Sequence, residues 1–362
     1  MLTKAAPLVI MNKNQRRWLG WIVGIAVLAV IVALLYKSPS WKNFEWRRLG
    51  FLLSHVHLGW FALAVLGSYG SYALRAWRWR FFVNPLKRCS LWTLFEGQIF
   101  GFSSIYLIGR AGEIVRPAYI AKTEQLPFTS QVAVWLLERI YDTLALVGLF
   151  ALAIDLQPTR YSAARLGRAH RVAIIILIFA AVLIVLMVLF RVYSERILPR
   201  LEVALGFLPT KWEKRIAALV RSFSTGLEVV QDPRDLAASI VSTVALWVLN
   251  VSVMWMSLRC LGGSLAVLSW WAATLTLVIA SLGLVIQLPG IGGGFQVAIL
   301  LALKELFRAP PSAAASAAIV TWMTMMLPCF ILGTVLLFYK GLSFEMLRAS
   351  AEHQRHAAAH KT

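Results

Sequence analysis

Negative charge is scarce in this chain: its 362 residues include 16 Asp+Glu against 36 Lys+Arg, for a net charge of +20. Charged residues of both signs make up only 14%, where a soluble domain carries about 25%. That shortage excludes the water-soluble classes, basic nucleic-acid-binding domains among them. Cysteine is almost missing as well. Cys89, Cys260 and Cys329 have no metal-ligand spacing and lie in or beside apolar segments, which excludes a disulfide scaffold and predicts small buried hydrophobes. No Walker loop, GxGxxG, HExxH or GxSxG pattern is found, so the expectation is no cofactor, no metal and no catalytic residue of those classes. His353, His356 and His360 fall near one helical face of an alanine-rich, solvent-exposed tail, a poor metal site.

What is present is apolar. Hydrophobic residues make up 59% of the chain and mean hydropathy is +0.72. A spanning helix needs about 20 apolar residues. Runs of that order cover 18–36, 49–74, 89–109, 125–154, 172–190 and 236–258. A longer one, 260–303, contains no Asp, Glu, Lys or Arg but is broken by Pro289, Gly290 and Gly292 to Gly294, and 309–339 closes the set. The first run follows Lys13, Arg16 and Arg17 without a small-residue cleavage site, so it reads as an uncleaved span.

Two glycine-interrupted segments occupy corresponding places. One runs Gly109-Arg110-Ala111-Gly112-Glu113-Ile114-Val115-Arg116, the other Pro289-Gly290-Ile291-Gly292-Gly293-Gly294-Phe295-Gln296. Such pairs mark the discontinuous helices of inverted-repeat transporters. If each dips in and returns, from opposite faces, the loop with Arg75, Arg78, Arg80, Lys87 and Arg88 faces the cytoplasm. So does the 191–235 segment with its eight cations, as the positive-inside rule prefers.

The predicted class is therefore an all-α polytopic membrane protein, with about eight embedded segments in two inverted halves and two broken or re-entrant helices. The expected organisation is a cytoplasmic 1–17, a membrane domain over 18–339 and a cytoplasmic tail over 340–362. Within the membrane domain, 18–190 is the first half, 236–339 the second, and 191–235 an interfacial amphipathic segment. Trp212, Ile216, Leu219, Phe223, Leu227 and Val230 recur there at helical spacing. The expected location is the cytoplasmic (inner) membrane.

Glu138, Arg139 and Asp142 stand ten or more residues from either end of an apolar run, and Glu138 and Asp142 share a helical face. Charges at that depth must face the bundle interior or water, and mark function by default. Gly109 and Gly112 can expose backbone N–H groups, while Arg110 and Arg116 offer guanidiniums suited to phosphate. Glu113 could pair with either arginine, accept an amine or carry a proton. The candidate lipid-binding set is Gly109, Arg110, Gly112, Glu113, Arg116, Glu138, Arg139 and Asp142, with Pro289, Gly290, Gly293, Phe295 and Gln296 from the second break.

Through Gly109-Arg110-Ala111-Gly112-Glu113-x-x-Arg116, Glu138-Arg139-x-x-Asp142 and Pro289-Gly290-x-x-Gly293-x-Phe295, the chain resembles the membrane region of lysylphosphatidylglycerol synthases and related flippase-like integral membrane proteins. The resemblance spans about 18–339. It departs at Gln296, where that family usually carries an acid. It implies translocation of a phosphate-bearing lipid or lipid-linked glycan between leaflets. Synthesis is not implied, since only a short tail follows Tyr339 where the synthases have a cytosolic domain. The expected partners are anionic or phosphate-bearing membrane lipids and lipid-pathway enzymes. Alternative expectations are a polytopic transferase using a lipid-linked substrate and a non-catalytic accessory of a lipid pathway.

Overall fold

A computed structural model describes residues 46–156, 182, 193, 233–284 and 293–339. The expected span 18–36, nearly all of the 157–232 stretch with its amphipathic segment, Pro289, Gly290 and the tail lie outside the described residues. The chain divides after Arg48, and apart from the start of α1 the helices belong to the unit beginning at Leu49. They are α1 (Trp46–Ser54), α2 (Leu58–Val83), α3 (Leu91–Ile108), α4 (Val115–Glu124) and α5 (Phe128–Leu156). After the gap come α6 (Pro233–Arg259), α7 (Gly263–Ala266), α8 (Trp270–Gly283), α9 (Gly294–Leu301), α10 (Pro311–Met325) and α11 (Leu327–Tyr339). No strand occurs among the described residues.

Two of the expected runs resolve differently. The 49–74 run is split at His55–His57, and the helix that follows continues to Val83, taking Arg75, Arg78 and Arg80 out of the expected loop. The 309–339 run is interrupted at Met326. Pro328 has no N–H to continue the ladder, and α2 braces the break: Tyr72 donates its hydroxyl to Met325 O at 2.9 Å and Tyr69 to Pro328 O at 3.3 Å. Helix starts follow local chemistry. Ser269 accepts from the Ala272 N–H at 3.0 Å to cap α8, and Pro311 opens α10 where its missing N–H costs nothing.

Helices α2 and α6 lie antiparallel along their whole length. Ser71 meets Asn250, Arg78 meets Thr243 and Asn84 meets Asp235, so advancing along one retreats along the other. Around this pair the other helices pack in matched fashion. α3 lies on α2 as α8 lies on α6, and α4 on α5 as α9 on α10. α3 meets α11 as α8 meets α5, and α10 reaches α2 as α5 reaches α6.

The first glycine segment turns a helical hairpin, and α8 and α9 pack as a second pair on either side of the other break. In α3–α4 the chain turns through a 3-10 turn at Gly109–Ile114, and Gly112 lies so close to Ser104 that a Cβ would stand 2.5 Å from the Ile105 nitrogen. In α8–α9 the corresponding close approach is Gly283 against the backbone of Gly294. The first hairpin has its base beside the Asn84–Asp235 end of the long pair, where Lys87 Nζ lies 3.0 Å from Glu124 Oε2. The second has its base at the other end, where His57 N–H donates to Cys260 O and Trp270 Nε1 donates to Ser252 Oγ. The hairpin bases thus lie at opposite ends of the long pair.

The surface is inverted relative to a soluble protein. Ile240, Val241, Val244 and Val248 form an outward stripe on α6, with Val241 66% exposed, while Arg78 is 0% exposed. Apolar outside and charged inside is the arrangement hydrocarbon selects. Among the described residues, Pro233–Arg259 and Pro311–Leu336 are long and apolar enough to cross a bilayer by composition alone. Helix α5 has the length, 29 residues, but three ionised side chains sit in its middle.

Candidate functional site

Most of the buried charges described gather in one network between α2, α4 and α5, while Glu96 pairs with Tyr119 and Glu124 with Lys87. Arg78 donates from Nη2 to Glu138 Oε1 at 2.6 Å and from Nη1 to Asp142 Oδ1 at 2.7 Å, with Thr243 Oγ1 at 3.2 Å. Arg116 Nη2 approaches Glu138 Oε2 at 2.7 Å as an ion pair, and its Nη1 donates to Gln98 Oε1 at 2.6 Å. Arg75 stands 3.6 Å from both Glu138 and Asp142, and Arg139 reaches them at 3.4 and 3.1 Å. Trp247 Nε1 donates to Asp142 Oδ1 at 3.2 Å. Four guanidiniums therefore surround Glu138 and Asp142, three of them well buried and Arg139 at the rim, where Glu113 also stands.

The sequence supplies this geometry by helical spacing. Glu138 and Asp142 fall one turn apart on α5, and Arg75 and Arg78 fall one turn apart on α2, so two short ladders interdigitate. Arg116 is placed by the hairpin turn and held flat, its guanidinium carbon 4.5 Å from the Trp79 ring.

The predicted residues are distributed unevenly. Glu138, Arg139, Asp142 and Arg116 meet in the network. Glu113 and Arg116 flank, with Arg139, a cleft of about 10 Å³, room for no more than one water. Gly109 and Gly112 form the hairpin turn, while the Arg110 side chain lies outside the described residues. From the second break, Gly293 precedes α9, Phe295 is buried and Gln296 is half-buried; Pro289 and Gly290 are not among the described residues. One expectation changes. Arg116 was expected to face a phosphate, but its donors are directed at Glu138 and Gln98 inside the protein, and the cleft beside it is too small for a headgroup.

Space of another size opens on the far side of Arg75. A cavity of about 120 Å³ lies midway along the α2–α6 pair, beside α3 of the first hairpin and α8 and α9 of the second. Arg75, Ser68 and Tyr72 of α2 line it, with Asn250 and Trp247 of α6. The first hairpin contributes Phe102 and Tyr106, the second Ser281 and Phe295. Arg75 and Arg78 were read as loop cations. Their signal was present in the sequence, because Ser68, Ser71, Tyr72, Arg75, Arg78, Trp79 and Phe82 recur every three or four residues, an unbroken buried stripe.

Cys89, Cys260 and Cys329 are free and buried, as expected. Burial, with Glu124 nearby, pushes the Cys89 thiol up to about 11, which keeps it protonated and inert at neutral pH. His55 and His57 are exposed at the α1–α2 break, and Asp155 is exposed at the end of α5.

No curated protein matches the chain. The family model described as the lysylphosphatidylglycerol synthase TM region matches residues 21–333. A chain whose described residues are all helix or connecting turn, with apolar residues turned outward and a charge network packed within, matched over most of its length by that model, is a membrane protein of lipid metabolism, and the chain belongs to the lysylphosphatidylglycerol synthase TM region family.

Proposed function

We propose that the chain moves a phosphate-bearing lipid headgroup between leaflets through the central cavity, with the acyl chains remaining in the bilayer. The observation carrying this reading is the position of that cavity. It sits beside two hairpins whose bases lie at opposite ends of an antiparallel helix pair, with a guanidinium on its wall. In transporters built from inverted repeats, the substrate site lies at this junction near the bilayer midplane. In our reading the two matched sets of helices are the inverted halves, and about eight embedded segments complete the bundle. The Asn84–Asp235 end faces the cytoplasm, together with 1–17, 191–235 and the tail.

The arginine excess gives the site its chemistry. With Glu138 and Asp142 both compensated by Arg78 and Arg116, the charge of Arg75 is only loosely engaged at 3.6 Å. A phosphate entering the cavity would gain that charge in a low-dielectric setting, where it is worth more than in water. Glu113, Arg139 and Gln296 are assigned to the polar path rather than to the headgroup itself.

The test is a proteoliposome assay with fluorescent phosphatidylglycerol and dithionite quenching of the outer leaflet. Arg75→Gln is expected to slow translocation about tenfold or more while leaving the melting temperature within a few degrees. An unchanged rate would refute the reading.

A further inference from the structure

The lining of the central cavity is selective in a way that the buried charge network alone does not determine. Among the described residues its one ionised lining side chain is Arg75, and no described Asp, Glu or Lys contributes to the wall. The nearest carboxylates, Glu138 and Asp142, lie against the other guanidiniums, and the Trp247 indole N–H is directed at Asp142. An ammonium group inside this cavity would meet a guanidinium and no free anion. It would lose its hydration without compensation.

The remaining polar groups are neutral. Most hydroxyl residues on these helices satisfy themselves by donating back to their own helix: Ser252 to Val248 O, Ser257 to Val253 O and Ser281 to Leu277 O. Ser68 does not. Its Oγ is buried, 3% exposed as a residue, and has no partner although it lines the cavity. Asn250 spends its carbonyl oxygen on the Ser71 hydroxyl at 2.7 Å, which leaves its amide N–H groups as donors at the same wall. An unsatisfied buried hydroxyl is costly to keep unless something binds it. A cavity of about 120 Å³ holds several waters, enough for a small polar head.

We infer that this cavity takes a phosphodiester lipid whose head beyond the phosphate is neutral and hydroxylated, such as glycerol or a sugar, and rejects heads bearing an amine, aminoacylated ones included. Arg75 meets the phosphate, Asn250 donates to its ester or hydroxyl oxygens, and Ser68 pairs with a head hydroxyl. This inference rests on the proposed translocation site and specifies what the site accepts.

The experiment uses the purified full-length chain in detergent, with native mass spectrometry and thermal unfolding as paired readouts. The probes are phosphatidylglycerol, its lysyl ester, phosphatidylethanolamine and soluble glycerophosphoglycerol. The expected result is binding and stabilisation by phosphatidylglycerol, at least tenfold weaker binding of both amine-bearing lipids, and no protection by the soluble phosphodiester. Ser68→Ala removes a buried group with no partner in the fold, so the unliganded variant should unfold at or above the parent temperature and bind phosphatidylglycerol roughly three- to tenfold more weakly, the loss of one hydrogen bond. Asn250→Ser is the second variant and should weaken binding in the same direction. Equal or tighter binding of the lysyl ester overturns this inference and leaves lipid translocation standing. Protection by glycerophosphoglycerol equal to that by the lipid assigns the cavity to a soluble phosphodiester and overturns the lipid assignment. Selective binding that neither variant alters overturns the placement in this cavity, and the absence of binding by every lipid overturns the translocation site as well.

Discussion

Adjacent residues on α5 should respond to the same chemical change in opposite ways. Glu138 is 1% exposed and receives two close guanidinium contacts, 2.6 Å from Arg78 and 2.7 Å from Arg116. Replacing it by Gln keeps the volume and one carbonyl oxygen, so the Arg78 contact survives in part. The amide NH2 then confronts Arg116, and the buried positive charge left uncompensated rises by one. Removing one partner of a buried, hydrogen-bonded pair costs about 3–5 kcal/mol. For a chain longer than 250 residues, at roughly 2 °C per kcal/mol, the melting temperature should fall by about 6–10 °C. Arg139, by contrast, has a third of its side chain exposed and sits 3.1 Å from Asp142 at the rim. Arg139→Gln should cost about 0–1 kcal/mol, as exposed pairs do. Thermal unfolding in detergent, followed by intrinsic tryptophan fluorescence, measures both. The pair of charges should also be non-additive. Arg116→Met should be damaging in the parent and much less so on the Glu138→Gln background, where its counter-charge is already gone. Equal losses for Glu138→Gln and Arg139→Gln, or strict additivity with Arg116→Met, would refute the account of Glu138 as the hub.

The hairpin turn predicts that Gly112→Ala is destabilising by about 1–3 kcal/mol or blocks accumulation of folded protein, because the new Cβ meets the Ser104–Ile105 backbone; unfolding temperature and yield check it. Maleimide at neutral pH should leave the folded protein unlabelled and modify three cysteines after SDS, since Cys89, Cys260 and Cys329 are buried and the Cys89 thiol is pushed up to about 11; labelling in the native state would contradict this. The same inertness makes the native chain a background for topology. Arg88→Cys and Lys304→Cys, both at exposed positions near opposite hairpin bases, should react with an impermeant reagent from opposite sides of the membrane; labelling from one side would break the inverted reading. Lys87→Met removes the contact to Glu124, but Lys87 is 46% exposed, so the change should cost no more than about 1 kcal/mol, in contrast with the buried network.

Much was legible in the sequence because it is encoded locally. Apolar runs of spanning length, the glycine breaks before Glu113 and before Phe295, and ionised residues in the middle of α5 are all properties of short windows. Helical spacing and the cost of charge in hydrocarbon act on them directly. The hairpin at Gly109–Ile114 and the burial of all three cysteines follow from the same local terms. What the sequence reading missed lies where residues distant in the chain must be matched. Arg75 and Arg78 looked like loop cations because they follow an apolar run and precede Arg80, Lys87 and Arg88. Only the docking of α2 against α5 and α6 turns them inward, where Glu138, Asp142 and Thr243 repay their dehydration. Arg116 has the spacing of a phosphate ligand, yet the hairpin closes it onto Glu138 and Gln98.

The sequence by itself determined that this is a helical membrane chain with two broken helices and a set of charges too deep to be accidental. The tertiary structure decided which of those charges neutralise one another and which one is left facing space. Helical periodicity assigns residues to faces, but a net charge at one point in a bundle is a sum over several helices. That sum, with Arg75 loosely engaged beside an unpaired Ser68 hydroxyl, exists only once α2, α5 and α6 have packed.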